Sequence, residues 1–437
     1  MKRIDLFNPE HDLALANGDR HFIAPANIRA MAHDLALLMQ EVRGLGDGRP
    51  FPWGWDSTVV ERFKKMGVPT ALLPSATSVG ALRQRSERGT AHLLLDAFKQ
   101  NHTDNIYIGE SCMIRSVEDI AFYAEQHGHV LLKAPLSGSG KGLRHVNVND
   151  DDNHQSGRRS TSALMSSLKK VESWANALIH RHGYLTAEPY YTKVQDFAME
   201  FMVDAAGCHF IGYSLFVTDH HGRYTGSRLM SDEKIEDILA GYVSRQALHE
   251  VRDWLIAHQS AIVPDEWNTD RHPIYFGVDM MIIKTTDKVV IEREQRLLAG
   301  SAERSNFNEV NRQQTTDVNG ERLKLKGNQP DGNSEFRIQN SEFKLHPCVE
   351  INLRMNMGII AHEIYRHRLA PEAEGMYHIA RFADNATLRA FHEEQSMEHP
   401  STYCDGRLVS GYAAITPIAD DTQHIAYIIV GGEGTKN

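Results

Sequence analysis

The spacing of apolar and polar positions changes several times along the chain, and each change predicts an element. "KRIDLF" predicts a first strand, and "NPEHD" after it a polar loop. Residues 27–42, "NIRAMAHDLALLMQEV", carry helical periodicity. "TALLP" predicts another short strand. Strand, loop and helix alternate to about residue 95, the pattern of a small α/β domain. "TAHLLLDAFKQ" and "SVEDIAFYAEQHG" predict helices. In the second, Ser116 with Glu118 and Asp119 marks the start, because carboxylates favour the positive end of the helix dipole. "ALIHRHGYLTAEPYY" predicts a strand ending in a turn. "QDFAMEFMVD" and "HFIGYSLFVTDHHGRYTGSRLM" predict antiparallel strands with a hairpin at His221–Gly222. "IYFGVDMMII" and "HPCVEINLRM" predict two more apolar strands, and "RLVSGYAAITPI" with "HIAYIIVGG" a terminal pair.

Periodicity is lost between the last two apolar strands. Residues 285–345 are polar and hold a near-duplicate, "NSEFRIQ" then "NSEFKLH". Two copies are too few for a repeat architecture, and the composition cannot bury a core. The segment reads as a low-complexity insertion extruded from a hairpin loop.

Composition narrows the class. At 437 residues the chain exceeds one ordinary core, so two to four subdomains are expected. A net charge of −10 argues against a general nucleic-acid binder. No apolar run is long enough to span a bilayer, and "MKRIDLFNPEHD" lacks the apolar core of a signal peptide. The cysteines (Cys112, Cys208, Cys348, Cys404) lie far apart without a CxxC pair, which predicts reduced thiols in a cytoplasmic protein. The histidines include no HExxH pair.

Candidate chemistry begins at "VLLKAPLSGSGKGLRHV", residues 130–146, an apolar run closed by Lys133 and followed by a Gly/Ser loop holding Lys141. A Walker A loop would need a hydroxyl residue after Lys141, where Gly142 stands. The spacing of Gly138, Gly140 and Gly142 also fails the dinucleotide fingerprint. What remains is a Gly-rich flap whose bared N–H groups and mobile lysines meet phosphates, or else a structural hairpin. In "CVEINLR" alternation places Cys348, Glu350, Asn352 and Arg354 on one strand face and Val349, Ile351 and Leu353 on the other. Asp279 is a lone acid in a run that reads as buried, so it wants a partner. Mg²⁺ takes one or two carboxylates plus phosphates and water, and Asp279, Glu350 and Asn352 suit it. Asp196, Ala198 and Glu200 share one face opposite Phe197, Met199 and Phe201, and Glu188 sits at a turn marked by Pro189.

Four motifs in this order, "LLKAPLSGSGKGLRHV", "AEPYYTKVQDFAMEF", "YFGVDMMI" and "VEINLRMNMG", resemble the ATP-grasp superfamily of carboxylate–amine ligases over roughly residues 95–375. The resemblance implies an α+β fold with two lobes clasping ATP, preceded by a small α/β domain. The expected division is an N-terminal domain at 1–95, a first lobe with the flap at 96–190, a second lobe with the insertion at 191–375, and an α/β tail at 376–437. It implies that Lys133 reaches the α-phosphate side of ATP and that Ser137, Gly138, Ser139, Gly140 and Lys141 cover the β- and γ-phosphates. Glu188 would meet the adenine amino group and Tyr191 would donate a backbone N–H. Asp196 would hold the ribose, with Glu200 on the same face as the alternative. Asp279, Glu350 and Asn352 would hold Mg²⁺ or Mn²⁺. Arg354, and Lys141 with it, would stabilise the transferring phosphoryl or the acyl phosphate. The family's lysine before the "TAHLLL" helix is missing here; Arg85 or Arg88 would substitute, or the contact is absent.

The implied chemistry is ADP-forming: a carboxylate takes the γ-phosphoryl, and an amine or similar nucleophile attacks the acyl phosphate. A kinase-like phosphotransferase and a non-catalytic nucleotide-binding module are the alternatives. The expected partners are ATP and a small-molecule or peptide carboxylate, with no nucleic acid and no membrane; a homodimer stays open. "FNPEHDLALANGD" is the best lead to the acceptor site, balanced against a solvated loop in which Asp12 caps a helix.

Overall fold

The computed structural model describes residues 3–43, 49–138, 142–148, 160–218, 224–285 and 342–431. The chain opens with β1 (Ile4–Leu6), α1 (His11–Asn17), α2 (Ala26–Asp34), β2 (Pro50–Pro52), α3 (Ser57–Lys65), α4 (Ala76–Arg85) and α5 (Arg88–Asn101). β1 and β2 pair in parallel. A second unit follows as β3 (Cys112–Ile114), α6 (Val117–His127), β4 (His129–Lys133), β5 (Leu143–Asn147), α7 (Thr161–His182) and β6 (Leu185–Pro189). Its strands form an antiparallel sheet in the order β3-β6-β4-β5.

The longest strands come next: β7 (Lys193–Asp204), β8 (Gly207–Ser214), β9 (Phe216–Thr218), β10 (Tyr224–Leu229), α8 (Asp232–Ala240), α9 (Arg245–Ala257), β11 (Ile274–Lys284), β12 (Phe343–Asn352) and α10 (Met357–Arg368). β12-β11-β7-β8 form the second four-stranded antiparallel sheet. The chain continues through β13 (Gly375–Arg381), α11 (Asn385–Glu398), β14 (Thr402–Cys404), β15 (Arg407–Ala414) and β16 (His424–Val430). These strands join β10 and β9 in a six-stranded sheet, β14-β15-β16-β13-β10-β9. The architecture is mixed α/β: three antiparallel sheets with helices, preceded by an α/β region.

Alternation fixes which face of β7 is buried. Phe197, Met199 and Phe201 enter the largest core with Phe276 and Val278 of β11 and Trp254 of α9. Phe201 stacks on Phe276 at 4.8 Å between ring centroids. Burying each such ring stabilises the fold by roughly 1.5–3 kcal/mol. The middle of the other face is left to polar side chains, with Tyr275 and Met281 buried on either side of it. A separate core under β3–β6 collects Ile114, Leu132, Val146 and Leu168. A third ties Phe7 and Trp53 of the N-terminal region to Ile360, Tyr377 and Ile428.

Several sequence expectations are corrected. "TALLP" forms a 3-10 turn at Thr70–Leu72, because prolines at 69 and 74 bracket it and cannot donate to a ladder. Residues 177–182 extend α7, which stops at Gly183 in the left-handed conformation, φ 81°. The helix at 27–42 ends at Asp34 and resumes as a 3-10 turn, Ala36–Glu41. The polar loop after β1 is short, since His11 already begins α1. The boundary at 95 falls inside α5, and the one at 375 inside β13, whose sheet draws strands from both sides of it. The proposed insertion does lie between β11 and β12, which pair to Lys284–Phe343, and Thr285 N donates to the Glu342 carbonyl at 2.8 Å. Its C-terminal limit shifts, because the second "NSEF" copy runs into β12 with Lys344 and Leu345 buried. Residues 286–341 and the hairpin at His221–Gly222 lie outside the described residues.

Candidate functional site

The polar face of the long sheet is built by register. Glu200, Gly277 and Asn352 lie side by side across β7, β11 and β12; Ala198, Asp279 and Glu350 form the next row. The register then slips between Asp279/Glu350 and Met281/His346. The slip breaks the expected alternation. Cys348 joins Ile351 and Leu353 in the core, while Val349 packs with Tyr191, Met281 and Ile283. Glu350, Asn352 and Arg354 keep their shared position.

Asp279 and Glu350 are opposed on adjacent strands. Burial, and then the charge of Glu350, push Asp279 up to about 7, against the pull of a hydrogen bond from Asn352. Such a pair lacks positive charge. Arg88 supplies some, donating to Glu350 Oε1 at 2.9 Å. Two carboxylates and an amide oxygen in one patch are hard oxygen donors of the kind Mg²⁺ takes, so the residues fit that ion. Among the described residues, no group of three or more His, Cys, Asp or Glu could hold a metal by itself.

The β3-β6-β4-β5 sheet and the start of α5 face this patch with cations. Lys133, at the end of β4, is buried, pairs with Glu188 of β6 at 2.6 Å, and donates to the Val349 carbonyl of β12 at 3.4 Å. Arg88 Nη1 bonds the Ala134 carbonyl at 2.6 Å and Ser137 Oγ at 2.7 Å. Arg88 is therefore the basic residue of this helix that enters the site; Arg85 is half-buried outside it. Gly138 sits against Asp12: a Cβ there would come 2.6 Å from Asp12 Oδ2. Ser139, Gly140 and Lys141 lie outside the described residues.

Arg354 is fixed from several directions. Its Nε and Nη2 donate to the two oxygens of Asp12 at 3.0 and 2.8 Å, and Nη2 also to Asn352 Oδ1 at 3.0 Å. Burial alone would raise the Asp12 carboxyl, but this bidentate pair outweighs it and holds Asp12 at about 2. Asp12 therefore caps no helix. Glu10 stands at the N-cap of α1 without a side-chain bond, and is itself tied to Arg62 at 2.7 Å.

Two ligand candidates sit differently from expectation. Glu200 is sealed under the sheet, 1% exposed, bonded by Asn356 Nδ2 at 2.6 Å. Gly277 and Gly358 make room for it, since a Cβ on either would come within 2.4 and 2.1 Å of its carboxyl oxygens. It cannot reach a ribose, and burial raises it to about 8. Asp196 lies on the open part of the face, in contact with Lys193. Tyr191 is buried, its ring edge-on to His346 at 5.8 Å. His346 is fully buried, pushed down to about 3 by burial and then by Lys133 and Lys99, and neither ring nitrogen has a partner among the described residues.

The "NPEHD" loop is not solvated. Asn8, Glu10 and His11 are all buried. Asn8 clamps Gly54 in both directions, Nδ2 to the carbonyl at 2.9 Å and Oδ1 from the N–H at 3.2 Å. A small pocket of about 20 Å³, room for one water, is lined by His11, Asp12, Arg88, Ser137, Glu350 and Arg354. Sequence reasoning placed neither Arg88 nor Asp12 firmly here and missed Asp56, Asn356 and His346. Asn356 and Asp56 carry a local signal, as N-cap residues before the apolar runs that open α10 and α3.

No family model and no curated protein matches the chain. Solved structures do match. N5-carboxyaminoimidazole synthase from Aspergillus clavatus, solved with ADP and 5-aminoimidazole ribonucleotide, is 11% identical, covers 97% of this chain and 93% of its own, and has a TM-score of 0.41. Biotin carboxylase from Campylobacter jejuni is 12% identical over 98% of this chain and 81% of its own, at 0.46. L-amino acid ligase from Bacillus licheniformis is 10% identical over 100% and 95%, at 0.45. These matches span nearly the whole chain at low identity.

Proposed function

We propose that the protein is an ATP-dependent, ADP-forming ligase that activates a carboxylate as an acyl phosphate. The observation that carries this reading is the meeting of two faces. Lys133, Arg88 and Ser137 come from one side, and Asp279, Glu350, Asn352 and Arg354 from the other, in one cleft. Phosphoryl transfer between oxygens needs positioning and charge compensation and little covalent chemistry. In this reading Lys133 and the loop at Ser137–Gly138 hold the nucleotide phosphates. Asp279, Glu350 and Asn352 would hold Mg²⁺, which supplies charge compensation at the phosphates. Arg354, oriented by Asp12, meets the phosphoryl as its charge spreads. Glu188, Tyr191 and Asp196 remain the proposed contacts to the base and ribose, and Lys141 the flap cation.

The test has two parts. Mg²⁺ with ATP should raise the melting temperature as mass action requires, and Glu350→Gln should reduce the metal dependence of that shift. Pooled carboxylates with hydroxylamine should give ADP, phosphate and a hydroxamate, and Arg354→Ala should slow this by roughly 10²–10³-fold. AMP formation would point to adenylation. ADP with a stable phosphorylated product and no hydroxamate would mean a kinase. An ATP shift without any product would mean a binding module.

A further inference from the structure

His11 opens α1 with its ring against the backbone of Gly54, where a Cβ would lie 2.5 Å from His11 Cγ. Its Nδ1 is 3.3 Å from Asp56 Oδ2, and the two side chains are 1% and 2% exposed. Asp56 is already an acceptor twice over. Its Oδ1 takes the Val59 N–H at 2.9 Å as N-cap of α3, and Oδ2 takes the Asn8 amide at 3.4 Å. A carboxylate placed among donors in this way makes His11 Nδ1 the protonated nitrogen. The lone pair is then on Nε2, which has no partner among the described residues and is not among their buried unpaired atoms. His11 lines the same small pocket as Asp12, Ser137, Glu350 and Arg354. A buried histidine oriented by a buried acid, beside the cations assigned to the phosphoryl group, is the arrangement of a general base.

We infer that His11, positioned by Asp56, is the proton acceptor for the second substrate; on the ligase reading that substrate is an amine arriving as its ammonium ion. The inference rests on the ligase reading above. Arg354, held by Asp12, would keep the acyl phosphate next to the pocket. One of the three ammonium protons passes to His11 Nε2. The freed lone pair bonds to the acyl carbon, and the carbon–oxygen bond to phosphate breaks with its electron pair leaving on phosphate. A second nitrogen proton goes to the departing phosphate, and the third remains on the amide.

The experiment compares two nucleophiles in the full-length protein. Hydroxylamine is largely unprotonated at neutral pH and has no ammonium proton to lose first. Pooled amino acids and aliphatic diamines are ammonium ions and do. His11→Gln and Asp56→Asn should each lower the ratio of amide product to hydroxamate by roughly 10²–10⁴-fold. The second variant keeps an N-cap side chain and serves if the first fails to fold, with thermal unfolding as the check. A merely structural role would lower both products together and leave the ratio unmoved. An unchanged ratio overturns the role of His11. A wild type that forms hydroxamate but transfers to no amine overturns the amine class. A wild type that forms neither ADP nor hydroxamate with any carboxylate overturns the ligase reading itself, which separates that failure from the others.

Discussion

Asp12 and Arg354 are 342 positions apart, yet they share two hydrogen bonds. Neither could be matched to the other from sequence, because each stands in an ordinary polar context. Their pairing sets a pH dependence. Asp12 titrates at about 2 in the fold against an ordinary 3.8, so its contribution is full above pH 4 and is lost as pH falls toward 2. The full linkage is about 2 kcal/mol, an upper bound, since a quarter of the side chain (25%) meets solvent. Asp12→Asn should lower the melting temperature at pH 7 and close the gap to wild type by pH 2, by calorimetry. Glu200 has the opposite sign. Its carboxyl is raised from 4.5 to about 8, so the neutral form suits the fold and stability is lost as pH rises through that interval. Glu200→Gln should gain on wild type progressively between pH 4.5 and 8. A melting-temperature difference that stays flat with pH would contradict this.

At the scale of elements, the junction of β12 and α10 carries the site. Within five residues, Asn352 and Arg354 face the cleft while Asn356 turns inward and caps α10 through Ile359 N at 3.0 Å. Its amide nitrogen also serves Glu200. Asn356→Ala should therefore cost a cap, about 1 kcal/mol, plus a buried partner, about 1–3 kcal/mol. Asn356→Ser should recover only the cap, a difference that chemical denaturation resolves. The structure adds a capping box to α6, Ser116 accepting from Asp119 N and Asp119 reaching back to Ser116 N; the start of that helix was legible locally from Ser116 and the acidic first turn. The 3-10 turn in "TALLP" and the long α7 were not. Short apolar runs fit helix or strand equally until packing chooses.

At the scale of the molecule, β11 and β12 pair up to Lys284 and Phe343, and Thr285 N meets the Glu342 carbonyl just beyond. Replacing residues 290–340 by a short turn should preserve one cooperative unfolding transition and the Mg²⁺–ATP shift. Each halving of loop length should add about 0.6 kcal/mol. Loss of cooperativity would show that the segment packs on the core. Among the described residues no helix is long and apolar enough to cross a membrane. Period-two alternation in "QDFAMEF", "YFGVDMM" and "VEIN" determined by itself that acids share a strand face opposite aromatic residues, because a side chain's face follows from its parity along the strand. That placed Glu350 and Asn352 on one face; the pairing of β11 with β12 is what sets Asp279 opposite Glu350. Parity says nothing of depth, and only the tertiary structure decided that Glu200, two residues from Ala198, is sealed beneath two glycines while Asp279 is left for the cleft. Nor can parity see across lobes: Arg88, Lys133 and the His11–Asp56 pair meet the acid patch through contacts made by chain closure.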